Sequence, residues 1–188
     1  MEGRRKSDRQ PEPDEAPAPG GYHAAVRDPL TGVYVRQYFN EFLLRECAFA
    51  SRHGSLLSVI LVQVDALDAL KTQWGPKAAE VVLAGVAGKM RGTLRAEDMI
   101  ANWDEGTFAL ILRDVDTGTA SIVAERLRRT VAAAKDLFDG FPVRPTVSVG
   151  LATTHLDPGG RPTDLVAGAL GNLKRAADAG GNRVVPGL

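Results

Sequence analysis

Two short clusters in the middle of the chain carry the side chains best suited to chemistry. The first is Arg95-Ala-Glu-Asp98, an arginine and an aspartate three residues apart. Arginine presents a planar fork of donors and aspartate a pair of acceptor oxygens, so the two can recognise a ligand or close on each other as a surface ion pair. The second cluster, Asp104-Glu105-Gly106-Thr107-Phe108, begins after an interval of five residues. It has the pattern of a β-hairpin. Apolar residues lead up to Trp103, Asp-Glu-Gly-Thr supplies the turn, and Phe108 to Leu112 reads as a buried strand.

Elements able to position these clusters follow from periodicity. After a Thr31-Gly32 turn, Tyr38, Phe39, Phe42, Leu43 and Cys47 recur at helical spacing through about Arg52. Leu56 to Asp65 is a nearly continuous apolar run, as in a central strand covered on both faces. Pro76 opens a well-buried helix that continues through Val82, Val86 and Met90 to about Thr93. Arg113 to Thr119 reads as a loop and Ala120 to Ala134 as an amphipathic helix, with Arg126, Arg128 and Arg129 off its apolar face. Phe141 to Pro145 leads into an inner strand at Thr146–Thr153. A last helix runs from Thr163 to about Ala179, then Gly180-Gly181 and a closing strand at Asn182-Arg183-Val184. No internal repeat is visible.

The 188 residues suffice for one domain and a tail. Lys and Arg total 23, as do Asp and Glu, so the formal charge is zero, which argues against nucleic acid or an anionic membrane as the main partner. The single cysteine, Cys47, has no disulfide partner and no metal-ligand spacing around it, and suits a reducing cytoplasm. The apolar run at Leu56–Val64 is too short to span a bilayer, and no signal-peptide core stands near the N-terminus, so the expected location is cytoplasmic. Residues 1–25, with Arg4, Arg5, Lys6 and Arg9 and then four prolines, read as a disordered tail, and residues 26–188 as the folded domain.

The start of that domain, Asp28-Pro-Leu-Thr-Gly32-Val-Tyr-Val-Arg36-Gln-Tyr-Phe39, together with the interval between Arg-x-x-Asp and the hairpin, resembles the diguanylate cyclase, or GGDEF, family. The resemblance covers about residues 26 to 186. It implies an α/β fold, ferredoxin-like and similar to nucleotide cyclases, with a central mostly antiparallel sheet surrounded by helices. It also implies where the family's chemistry should lie. A metal-binding aspartate falls at Gln63, within Gln63-Val-Asp65-Ala-Leu-Asp68, and two guanine-reading positions fall at Lys71 and Glu80. In the hairpin, Thr107 takes the place of a metal-binding glutamate, Gly106 that of the preceding acid, and Asp104 and Glu105 those of two glycines. The lysine and arginine that clamp a triphosphate correspond to Ala177 and Gly181. A neutral amide is a poor ligand for cations held against a triphosphate. The expectation is therefore a degenerate domain that is not an enzyme, with no catalytic residue and no metal.

The Arg-x-x-Asp half is intact, and in the family it is a product-binding site for cyclic di-GMP. Arg95 can grip a guanine O6/N7 edge or phosphate oxygens, and Asp98 can accept from the guanine N1–H and amine. Neither role needs a metal. Arg126, eighteen residues past Phe108, stands where many members carry a second arginine patch that contacts ligand held by a neighbouring domain; a solvated helix arginine is the alternative. The leading expectation is a catalytically inactive cyclic di-GMP receptor that uses Arg95, Asp98 and Arg126 and signals to a protein partner, with a ligand-promoted homodimer as one assembly. The alternatives are a ligand-independent dimerisation or docking module, in which Arg95–Asp98 is a residual ion pair, and a GTP-binding regulator, disfavoured by Lys71, Ala177 and Gly181.

Overall fold

Strand β1 (Leu56–Val64) is the spine of a five-stranded sheet. Its Ile60, Val62 and Val64 enter one apolar core and its Leu57, Val59 and Leu61 another, which is why the run is continuously apolar rather than alternating. On one side β1 pairs antiparallel with β3 (Thr107–Arg113), which forms a hairpin with β2 (Met99–Asp104). On the other side it pairs antiparallel with β6 (Val147–His155), and β6 takes the short β7 (Val184–Val185) in parallel. The order is β2-β3-β1-β6-β7. The expected ferredoxin-like, cyclase-like architecture is therefore present, with the parallel β7 making the sheet mixed. These facts come from a computed structural model that describes residues 26–95, 97–134, 136–155 and 161–187. The tail expected over residues 1–25 lies outside the described residues.

Five helices cover the two faces of the sheet. These are α1 (Arg36–His53), α2 (Leu67–Trp74), α3 (Pro76–Arg91), α4 (Thr117–Ala132) and α5 (Pro162–Asp178). Helices α3 and α4 bury Val82, Val86, Met90, Ala124 and Leu127 on one face. Helices α1 and α5 bury Phe39, Leu43, Leu165 and Leu173 on the other. Cys47 packs inside that second core, where burial pushes its thiol up to about 11 and leaves it a small apolar residue. Among the described residues no helix is long and apolar enough to cross a membrane.

Two boundaries depart from the expected ones, each for a local reason. Helix α4 begins at Thr117 rather than Ala120, because the Asp116 carboxylate accepts the Thr119 N–H at 2.6 Å and caps the first turn. The segment before β6 also holds a small second sheet, β4 (Asp136–Phe138) and β5 (Phe141–Val143), closed by Asp139-Gly140. That dipeptide between two apolar pairs is a hairpin signal the sequence reading passed over.

Gly150 in β6 shows how closely α5 lies on the sheet. A Cβ there would overlap the Leu173 amide nitrogen and the Ala169 carbonyl oxygen, both backbone atoms of α5. Gly150→Ala should destabilise the fold by about 1–3 kcal/mol, since the helix must move outward. A lowered urea midpoint with an unchanged m-value checks this.

Candidate functional site

The turn between α3 and β2 holds the Arg-x-x-Asp pair. The Asp98 N–H donates to the Arg95 carbonyl at 3.2 Å, and Asp98 Oδ2 accepts the Arg95 N–H at 2.9 Å. The aspartate thus closes its own turn. The Arg95 guanidinium does not lie on Asp98. Its nearest carboxylate is Glu97, at 4.0 Å, and the arginine side chain is 69% exposed. Among the described residues, the residual Arg95–Asp98 ion pair weighed from the sequence is not formed.

Arg126 reaches the same turn from α4. One of its guanidinium nitrogens donates to the Thr93 carbonyl at 2.7 Å, and its charge acts on the Asp98 carboxyl. The other two arginines of α4 point elsewhere. Arg128 and Arg129 both bond Glu125, at 2.7–2.8 Å, and Arg128 also donates to Asn182. The Arg128 hydrogen bond, opposed by partial burial and reinforced by Arg129, brings Glu125 down to about 2. Arg95, Asp98 and Arg126 are therefore neighbours within one domain, because α4 packs beside the end of α3. Arg126 is thus not a freely solvated helix arginine, since it is bonded to the turn that carries Asp98.

The hairpin turn is built on Gly106. It takes a φ of 76°, its carbonyl accepts the Val64 N–H at 2.8 Å, and a Cβ there would come within 2.6 Å of Leu67 Cδ2. A carboxylate-bearing residue at this position would meet both a strained backbone and Leu67. Trp103 is the extra residue where the β2–β3 register shifts, and it packs edge-on to Phe39 with the Arg36 guanidinium 3.9 Å from its ring. Across β1, Gln63 pairs in register with Thr107 on one side and Ser148 on the other.

Two clefts flank the hairpin. One, of about 430 Å³, is lined by Leu30, Val35, Glu80, Leu83, Asn102 and Trp103 among others. The second, of about 500 Å³, lies between the end of β1, the start of α2 and Ala177, Gly180 and Gly181. Lys71 and Glu105 line both, and Lys71 Nζ sits 2.5 Å from Glu105 Oε1 and 3.5 Å from Asp68 Oδ1. The Glu105 hydrogen bond, foremost, raises the Lys71 pKa.

The resemblance implies a divalent metal beside Gln63 and Thr107, and the donors present do not fit one. No group of three or more His, Cys, Asp or Glu side chains suitable for a metal occurs among the described residues. The nearby Asp65 has its carboxylate occupied by the Ser148 hydroxyl at 2.6 Å, the Thr146 hydroxyl at 2.7 Å and the Asn182 N–H at 2.9 Å. Sequence reasoning missed that role for Asp65, and it missed the Lys71–Glu105 pair; both depend on long-range register that local pattern does not carry.

Residues 25–183 match the family described as "Diguanylate cyclase, GGDEF domain", and the chain belongs to that family. Among its relatives, the probable diguanylate cyclase DgcT of Escherichia coli is 28% identical over 164 residues, covering 86% of this chain and 35% of that protein. The diguanylate cyclase DgcP of Pseudomonas aeruginosa is 32% identical over 127 residues, covering 68% of this chain and 19% of that protein. The chain therefore spans about a third or less of these relatives' length. Among solved structures, diguanylate cyclase SiaD of P. aeruginosa, in complex with its activator SiaC, superposes with a TM-score of 0.82 at 28% identity, covering 86% of this chain and 62% of that one. The GGDEF domain of DgcB from Caulobacter crescentus, in complex with c-di-GMP, shares the fold with a TM-score of 0.82 at 22% identity, over 88% of this chain and 98% of that one.

These relatives overturn one expectation. The substitutions at Gln63, Lys71, Thr107, Ala177 and Gly181 predict a chain that is not an enzyme, yet its family and its relatives are named diguanylate cyclases. The expectation rests on several losses in one site, and the named activity of relatives about 28% identical stands against it.

The clustering of Arg126 with Asp98 has a measurable consequence. Burial, the largest influence, raises the Asp98 pKa, while the Arg95 N–H bond and the charges of Arg95 and Arg126 hold it down. Because the folded value is above the unfolded one, this carboxyl favours the fold at low pH, and that contribution is lost as pH rises through the folded pKa. Arg126→Ala should raise the Asp98 pKa further. An NMR titration of the side-chain carboxyl checks it, and an unmoved pKa would separate Arg126 from the turn.

Proposed function

We propose that the domain is a cyclic di-GMP-binding signalling module, with Arg95, Asp98 and Arg126 as its binding residues. The observation that carries this reading is the meeting of the three residues at one turn, with Arg126 bonded to the Thr93 carbonyl and the Arg95 guanidinium exposed and not spent on Asp98. The ligand's two phosphates and two guanines call for such a set. The arginine forks suit phosphate oxygens or a guanine O6/N7 edge, and Asp98, with Oδ2 committed to its turn, offers Oδ1 to the guanine N–H donors. This recognition needs no metal, and it concerns binding irrespective of turnover.

Two further elements belong to the proposal. The first is a protein partner, supported by the SiaD relative, whose structure contains an activator protein. The second is a cytoplasmic setting, where the single buried thiol of Cys47 stays reduced. Two domains could also pair through shared ligand with two-fold symmetry, which sedimentation with and without ligand would read.

Calorimetry in the presence of EDTA tests the reading. Wild type should bind cyclic di-GMP, and Arg95→Ala should lose about 2 kcal/mol of binding, roughly thirtyfold, as charge-assisted contacts vanish. The melting temperature of the free protein should stay nearly constant, since the exposed arginine contributes little to the fold. Absent wild-type binding, or equal binding by Arg95→Ala, would refute the proposal.

A further inference from the structure

We infer that the cleft between α2 and the β4–β5 hairpin is a docking groove for the chain's own proline-rich segment, residues 10–19. The cleft, of about 350 Å³, is walled by Leu70 and Trp74 of α2, Val82 of α3, Pro142 of β5 and the following Pro145. Neither Lys71 nor any residue of the β2–β3 hairpin lines it, so it is separate from the two clefts described above. Its apolar wall continues onto open surface. Leu137 pairs in register with Pro142 across the small sheet, so both side chains lie on one face, and Leu137 is 65% exposed. The adjacent Phe138 packs against the core instead. The one cation in the lining is Arg144, which is exposed and makes no ion pair among the described residues. The one carboxylate there, Asp65, is already occupied by Thr146, Ser148 and Asn182.

Such a groove fits a segment that is apolar and carries negative charge. Residues 10–19 read Gln-Pro-Glu-Pro-Asp-Glu-Ala-Pro-Ala-Pro, with three carboxylates and no cation. Prolines pack well in aromatic-lined grooves, and a chain already held near the polyproline II conformation loses little freedom on docking. Glu12, Asp14 and Glu15 supply the counter-charge for Arg144. The segment is also within reach. Pro19 stands seven residues before Val26, where the described chain begins, and Pro11 fifteen. Extended, those links span roughly 23 to 50 Å, against a domain about 40 Å across. Covalent attachment keeps the segment at a local concentration on the order of millimolar, so a modest contact fills the groove. Groove and occupant use no residue of the Arg95 turn, and the inference does not depend on the cyclic di-GMP proposal.

Paramagnetic NMR of the full chain tests the inference, with a nitroxide attached at Ser7→Cys and the buried Cys47 unlabelled. Amides around Leu70, Trp74 and Arg144 should broaden severalfold more than those on the opposite face of the domain. Arg144→Glu should remove that excess, as should Glu12→Lys, Asp14→Lys and Glu15→Lys made together. Joining both sets of changes in one chain should restore it, which a merely structural effect of Arg144→Glu would not do. Uniform broadening, broadening centred elsewhere, an excess indifferent to Arg144→Glu, or no recovery in the combined variant would overturn the inference. So would an excess seen only when labelled chain is mixed with separate isotope-enriched chain, which would make a second copy the occupant.

Discussion

The carboxylate of Asp65 ties together the segments on which the site region depends. It sits just past the last residue of β1 and accepts hydrogen bonds from the hydroxyls of Thr146, just before β6, and Ser148, within it, and from the Asn182 backbone. Its own N–H donates to the Thr146 carbonyl. One side chain therefore fixes where the central strand ends, where β6 begins and where the chain returns after α5. Arg128 extends the lock by joining Asn182 to Glu125 on α4. With Asp65 held, the chain must turn sharply into α2, and Ala66 takes a left-handed φ of 53° that costs alanine about 1–2 kcal/mol. That turn sends α2 across the hairpin and brings Lys71 to Glu105.

The two candidate regions draw on different parts of this frame. The cleft with Lys71 depends on the lock at the end of β1 and on the tight Gly106 turn. The Arg95–Asp98 turn depends on the packing of α3 against α4, which delivers Arg126 beside a loop more than thirty positions earlier in the chain. A carboxylate closing its own turn and an arginine anchored on a helix-end carbonyl are both held before any ligand arrives. Such preorganisation reduces the ordering cost of binding.

Much of the fold was legible in the sequence because its signals are local or periodic. The continuous apolar run of β1, the amphipathic helices and the Asp-Glu-Gly-Thr turn each state their element without reference to the rest of the chain. The site was legible only in part. Arg95 and Asp98 stand out by spacing, but their actual arrangement, backbone to carboxylate with the guanidinium turned away, depends on rotamers that spacing does not fix. The destination of Arg126 depended on Glu125 claiming the other two arginines of α4, Arg128 and Arg129. The expected loss of activity rests on side chains missing together from one site, and it stands against the naming of the chain's relatives as diguanylate cyclases.

The most direct test of the central claim is to map cyclic di-GMP onto the domain by NMR, following backbone amide shifts during titration in EDTA. The account predicts that the largest changes fall on residues 93–98 and on α4 around Arg126, with the hairpin and Lys71 little affected. Changes concentrated at Lys71, Glu105 and the 180–182 loop, or no changes at saturating ligand, would contradict it.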